Sequence, residues 1–237
     1  MNDSPGSNEL SLFLASTAHD MKNSVSVLAG TLEKLLAGAP ASADTGVAYP
    51  QMAHMLYQTK RLNDNLIQLL ALYKQVGKPD YPFDVQPLEL GGFVEQLVAS
   101  VCVLLDSRGI VLEAEYDPNV IWHFDEDLVT GVVGHAINNA VNYTSDKIRL
   151  AINVADGYLD IRIEDNGAGY PQPMLDAGEA AMSGNRTGVN FLTNSTGLGL
   201  YFSSEVAKMH KHRGRSGSIR LENGGAYGGG CFVLRLP

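Results

Sequence analysis

The sequence predicts an α+β chain in two parts: an N-terminal antiparallel helical hairpin that pairs with a second copy into a four-helix bundle, then a mixed sheet with helices on one face. Three observations predict it. Apolar residues recur at alternating steps of three and four through the first third of the chain, the seam of helices packed side by side. Strictly alternating apolar runs appear further on, the pattern of half-buried strands. Between them, residues 77–87 carry Pro79 and Pro82 without any period, and they read as a linker joining domains 1–76 and 88–237.

Residues 1–8 are polar, with Pro5 and Gly6, and form a frayed start. A helix is predicted over 9–36, with Leu14, Ala18, Met21, Val25, Leu28, Leu32 and Leu35 as its seam. Glycines and Pro40 within 38–46 break it. A second helix over 50–76 repeats the spacing in Met52, Met55, Thr59, Leu62, Leu66, Leu69 and Tyr73. Two such helices joined by a short loop lie antiparallel. Alone, the hairpin leaves a long apolar stripe in water, and a second copy about a two-fold axis covers it. The alternative is that the stripe packs on the chain's own second domain.

In the second part, Phe93, Leu97, Val101 and Leu104 lie on one face of a helix over 92–107. Ile110, Leu112 and Ala114 alternate as a strand, and a short strand follows at 120–122. Asp125 is placed to cap a helix over 126–142. Ile148, Leu150, Ile152 and Val154, then Leu159, Ile161 and Ile163, form a hairpin about Asp156-Gly157 with one buried face. Residues 171–196 have no sustained period and read as a mobile loop. A helix over 198–211 and strands at 219–221 and 232–236 close the chain. Lys208, Lys211, Arg213 and Arg215 cluster in sequence as a solvated loop, the alternative being contact with a nucleotide or an acidic partner.

With 237 residues and 45% hydrophobic content, the chain can build real cores. No uncharged apolar run approaches about 18 residues, and residues 1–7 show neither a basic nor an apolar signal segment, so no membrane segment and a cytoplasmic location are expected. A net charge of -9 argues against a general nucleic-acid surface. Cys102 and Cys231 lack metal-type spacing and read as small hydrophobes, not a disulfide.

The chemistry gathers in four places. His19 stands one step past the seam residue Ala18, on the flank of the helix where water reaches it. Asp20 is placed to orient one ring nitrogen, and Asn23 lies one turn on, an arrangement that makes His19 a nucleophile in need of a phosphoryl donor. Taken alone, His19 is an ordinary surface histidine. Asn138, Asn139 and Asn142 concentrate carboxamides near one helix end, which helix propensity does not explain, although Asn at a helix end is ordinary. Asp165-Asn166-Gly167-Ala168-Gly169 ends a strand with a carboxylate able to accept from an exocyclic amine. Ser195-Thr196-Gly197-Leu198-Gly199-Leu200 opens a helix whose free N–H groups attract phosphate. Order and spacing together say more than any one of these.

In these residues the chain resembles the sensor histidine kinases of two-component signalling. His19 to Asn23 resembles their phosphoacceptor box, with Gly30 and Glu33 in place; residues 135–144 resemble the N box, 165–169 the first glycine box and 196–200 the second. The resemblance implies a dimerisation and phosphotransfer hairpin, then an ATP-binding α/β sandwich shared with gyrase, heat-shock protein 90 and mismatch-repair ATPases. It implies Asn139 as the Mg²⁺ ligand, Asp165 on the adenine amine, Gly167 and Gly169 shaping the base pocket, and Gly197 and Gly199 at the phosphates. Asn142, Tyr143, Thr196 and Leu198 complete the ATP-binding set, with a lid over 171–196 that includes Phe191. His19 would be phosphorylated with Asp20 as orienting base, Asn23 would serve the reverse phosphatase reaction, and a response regulator would receive the phosphoryl group. Four residues depart from the pattern: His135 for a common Asn, Asn142 for Lys or Arg, Ser24 for a proline and Ser195 for a glycine. They leave open a phosphotransfer protein or pseudokinase that does not use ATP, and a non-catalytic binding module.

Overall fold

The computed structural model describes residues 83–183 and 197–237, with residues 25, 28–32, 55, 58, 59 and 62. The chain divides into two compact units, Met1–Gln75 and Val76–Pro237. In the first, every described residue is helical, and Val25 and Ala29 are buried. Leu28, Met55 and Leu62, three positions of the predicted seams, are 58%, 56% and 47% exposed in the single chain. The hairpin as a whole, its loop, and His19, Asp20 and Asn23 lie outside the described residues.

The second unit begins with strand β1 (Gln86–Glu89) and helix α1 (Leu90–Ser107), followed by β2 (Val111–Glu115), β3 (Ile121–Phe124) and α2 (Glu126–Tyr143). Then come β4 (Lys147–Ala155), β5 (Tyr158–Asp165), α3 (Gln172–Met182), α4 (Gly197–Met209), β6 (Lys211–His212), β7 (Arg215–Ser216), β8 (Ser218–Asn223) and β9 (Gly230–Leu236). The main sheet runs β2-β4-β5-β9-β8, parallel between β2 and β4 and antiparallel elsewhere, so it is mixed as expected. Register sets Leu150 opposite Ile163 and Ile152 opposite Ile161 on the buried face. Ile161 and Ile163 in turn meet Leu234 and Phe232. Intervening positions on these strands carry Arg149, Arg162, Glu164 and Arg235, so charge marks the other face.

Helix α2 buries Leu128, Val129, Val132, Val133, Ala136, Ile137, Ala140 and Val141, a stripe of the 3.6-residue period. Asp125 caps it as predicted, its carboxylate accepting from Leu128 N at 3.0 Å. Asp156 (φ 56°) and Gly157 (φ 74°) make the tight β4–β5 turn, where a left-handed pair matches the twist of the strands. Helix α1 is long and apolar enough to cross a membrane by length and composition, with mean hydropathy 1.5. It instead buries Leu90, Phe93, Val94, Leu97, Val101 and Leu105 within the domain and carries Glu95 and Asp106.

Three expectations need correction. Residues 172–182, read as loop, form helix α3: Met174 is buried, Leu221 packs where a Gly178 side chain would be, and Met182 Sδ accepts from Ile219 N at 3.4 Å. Its apolar positions are too few to register as a period, so tertiary contact decides it. The tail of the 77–87 stretch is not linker either: β1 starts at Gln86 and pairs antiparallel with β3, and Asp84 N donates to Asp125 Oδ2 at 3.0 Å. Finally, the basic cluster is a built hairpin. Lys211 and His212 pair with Ser216 and Arg215, and Arg215 Nη1 donates to Asp156 O at 2.7 Å. His210, before this hairpin, is 3% exposed, with Nδ1 donating to Val206 O and Nε2 accepting from Asp125 N. The Phe83 ring stands edge-on to it at 4.9 Å.

Candidate functional site

Asp165 is the last residue of β5 and continues the buried alternation of Ile161 and Ile163, which carries its carboxylate into the interior at 2% exposure. Oδ1 accepts from Gly167 N at 2.8 Å and Gly230 N at 3.1 Å. Among the described residues no hydrogen bond reaches Oδ2. A Cβ on Gly230 would sit 2.8 Å from Oδ2 and 3.0 Å from the Tyr170 ring, so glycine there leaves that oxygen uncovered. Burial, then the Asp165 charge, pushes the Tyr170 phenol well above its usual range. One oxygen is thus committed to structure and the other is open to a donor.

Asn166, which sequence reading passed over, locks this turn to the end of α2. Its Oδ1 accepts from Thr144 Oγ1 at 2.8 Å and from the backbone N–H of Ser145, Asp146 and Lys147 at 3.1 Å each. Its amide donates to Asp146 Oδ1 at 2.7 Å. Gly167 fits beneath: a Cβ there would lie 2.1 Å from Tyr143 O. Gly169 (φ 81°) turns the chain so that Tyr170 and Asn223 bond reciprocally at 2.7 and 2.9 Å. Both glycines shape the site by admitting the protein's own atoms.

On α2, Asn139 Nδ2 lies 3.1 Å from His135 Nε2, one helical turn back. Packing around its ring pushes His135 down to about 4, so the imidazole is neutral at physiological pH. Gly199, in the first turn of α4, is buried against it: a Cβ would meet Nε2 at 2.0 Å. Gly199 therefore makes room for a ring, and brings the start of α4 onto the Asn139 turn. Asn142 is exposed, its amide donating to Asn138 O at 3.0 Å, and Tyr143 is 47% exposed. Gly197 and Leu198 open α4, whose first N–H groups carry the positive end of the helix dipole. Thr196, Ser195 and Phe191 lie outside the described residues. The structure thus brings Asn139, Asp165, Gly167 and Gly199 into one region by shared contacts.

On the opposite face, Glu164 is 3% exposed and bridges Arg149 at 2.8 Å and Arg162 at 2.9 Å. Burial raises its pKa, but bonds from Arg162, Arg149 and Ala226 N more than offset that and hold it below the usual carboxylate range. Cys102 and Cys231 are free, and burial pushes the Cys231 thiol up to about 12. No cluster of three or more His, Cys, Asp or Glu suited to a metal occurs among the described residues. The Asn139 carboxamide, whose nitrogen is the atom facing His135, has an oxygen of the kind that binds a hard cation beside substrate phosphates.

Residues 124–237 match the family described as Histidine kinase-, DNA gyrase B-, and HSP90-like ATPase. Sensor protein SrrB of Staphylococcus aureus is 24% identical over 235 residues, 95% of this chain. Over residues 124–237 the chain is similar to the ATPase domains of histidine kinases. The chain spans 37% of the length of SrrB. Among solved structures, the Acinetobacter baumannii histidine kinase AdeS superposes with a TM-score of 0.55 at 18% identity, covering 92% of this chain and 96% of that one. The catalytic domain of histidine kinase ThkA gives 0.53 at 18% identity over 65% of this chain and 97% of that one. These likenesses show the fold. Within the matched domain, Asn166, Tyr170, Asn223 and Gly230 were not legible as site residues; only Asn166, inside the first glycine box, carried a signal.

Proposed function

We propose that the chain is an ATP-dependent histidine kinase that phosphorylates its own His19 and passes the phosphoryl group to an aspartate of a response regulator. One observation carries the nucleotide half: the buried Asp165 carboxylate, with Oδ1 held by two backbone N–H groups and Oδ2 left as an acceptor for an adenine amine. Asn139 would hold Mg²⁺, which when bound offsets phosphate charge, and the start of α4 would receive the phosphates. Transfer breaks the bond between the γ-phosphorus and the bridging oxygen and forms an N–P bond at His19. ADP leaves, and Asp20 helps the imidazole shed its proton. The exposed Leu28, Met55 and Leu62 support a homodimer through the helical unit. Asn23 would position water for phosphatase action, and the chain would work in the cytoplasm.

Incubation with γ-labelled ATP should leave acid-labile, base-stable label on the chain, absent from His19→Gln. Label persisting in that variant refutes the assignment. A second reading, a phosphotransfer protein that does not use ATP, is favoured by Asn142, where an exposed carboxamide bonded to its own helix supplies no cation for phosphate. Calorimetric titration with Mg-ATP separates the two.

A further inference from the structure

We propose that His135 is a positioning residue that sets which way the Asn139 carboxamide points, so that the amide oxygen is the atom left for the divalent cation accompanying a nucleoside triphosphate. This rests on the nucleotide reading above and adds to it a role for His135, where the kinases it resembles commonly have Asn.

The argument is one of donors and acceptors. Asn139 Nδ2 lies 3.1 Å from His135 Nε2. An amide nitrogen only donates, so Nε2 must accept, and the ring carries its hydrogen on Nδ1. Turned end for end, the amide would give its oxygen to an Nε2–H group, and that oxygen would be spent before any cation arrived. The two orientations have the same shape, so the tautomer of the ring chooses between them. The ring is also crowded on one side. The backbone of Gly199 lies so close that a Cβ there would fall 2.0 Å from Nε2 and 2.3 Å from Cε1. The imidazole therefore sits between the Asn139 carboxamide and the first turn of α4.

Two measurements test this on the full chain. Nitrogen-15 NMR without nucleotide should show His135 unprotonated at Nε2 and protonated at Nδ1; an Nε2–H tautomer overturns the proposal. Calorimetry with ATP, in Mg²⁺ and in EDTA, should show a metal-dependent gain in affinity that falls by about tenfold in His135→Ala, with affinity in EDTA unchanged. His135→Asn, whose side-chain oxygen can accept the same hydrogen bond, should restore the gain. A full metal-dependent gain in His135→Ala overturns the proposal, as does failure of His135→Asn to restore it. Wild-type chain that binds no ATP in either buffer overturns the nucleotide reading instead, a result the two buffers distinguish from loss of the metal gain alone.

Discussion

Asp165→Asn separates binding chemistry from folding, because the two carboxylate oxygens have different tasks. The amide oxygen can take the Oδ1 position and keep the bonds from Gly167 N and Gly230 N, now 2.8 and 3.1 Å. These become neutral and weaker, yet the buried donors stay paired, so the domain should still fold. The amide nitrogen then occupies the Oδ2 position. There a donor faces the adenine amine, also a donor. Losing a hydrogen bond to a charged acceptor costs about 1.5–3 kcal/mol, and setting two donors together adds about 1–2 kcal/mol. The sum, about 2.5–5 kcal/mol, corresponds to roughly 70- to 5,000-fold in affinity. Calorimetry of Mg-ATP binding, with circular dichroism to confirm folding, measures it. A folded variant that binds within threefold of wild type refutes the assignment of Oδ2 to the base.

Three further outcomes are expected. Gly199→Ala drives a methyl group into the His135 ring; the start of α4 must shift, and Mg-ATP affinity should fall at least tenfold, by the same titration, while the fold stays intact. Glu164→Gln loses the paired charge between Arg149 and Arg162. At pH 7 it should cost about 2–3 kcal/mol, roughly 5–10 °C in the melting midpoint of a domain this size. Because the folded pKa of Glu164 is depressed, its stabilisation is complete above about 4.3 and is lost as pH falls through the lower folded value. The gap between wild type and Glu164→Gln in thermal melts should therefore close in acid, and a gap that stays constant to pH 2 contradicts the ion-pair account. Leu62→Glu places a charge on an exposed seam position and should convert the proposed homodimer to single chains by light scattering, without lowering Mg-ATP affinity.

Local pattern alone determined a good deal of this protein. Alternation of Ile148 to Val154 and Leu159 to Ile163 gave the central hairpin, because a strand's period of two is written into neighbouring residues. Asp125 announced its helix, because a cap acts within one turn. The order of Asn139, Asp165 and Gly199 pointed to the ATPase family that residues 124–237 match. What tertiary structure decided involves partners far apart in the chain. Helix α3 exists because Gly178 meets Leu221, and β1 exists because it finds β3. Among the described residues Asp165 keeps one oxygen unbonded, while Gly230, 65 residues on, donates to the other. Gly199 is required by a histidine on another helix. Periodicity and capping act over a few residues and can be read in order, whereas the direction of a hydrogen bond depends on which donor the folded chain brings within 3 Å.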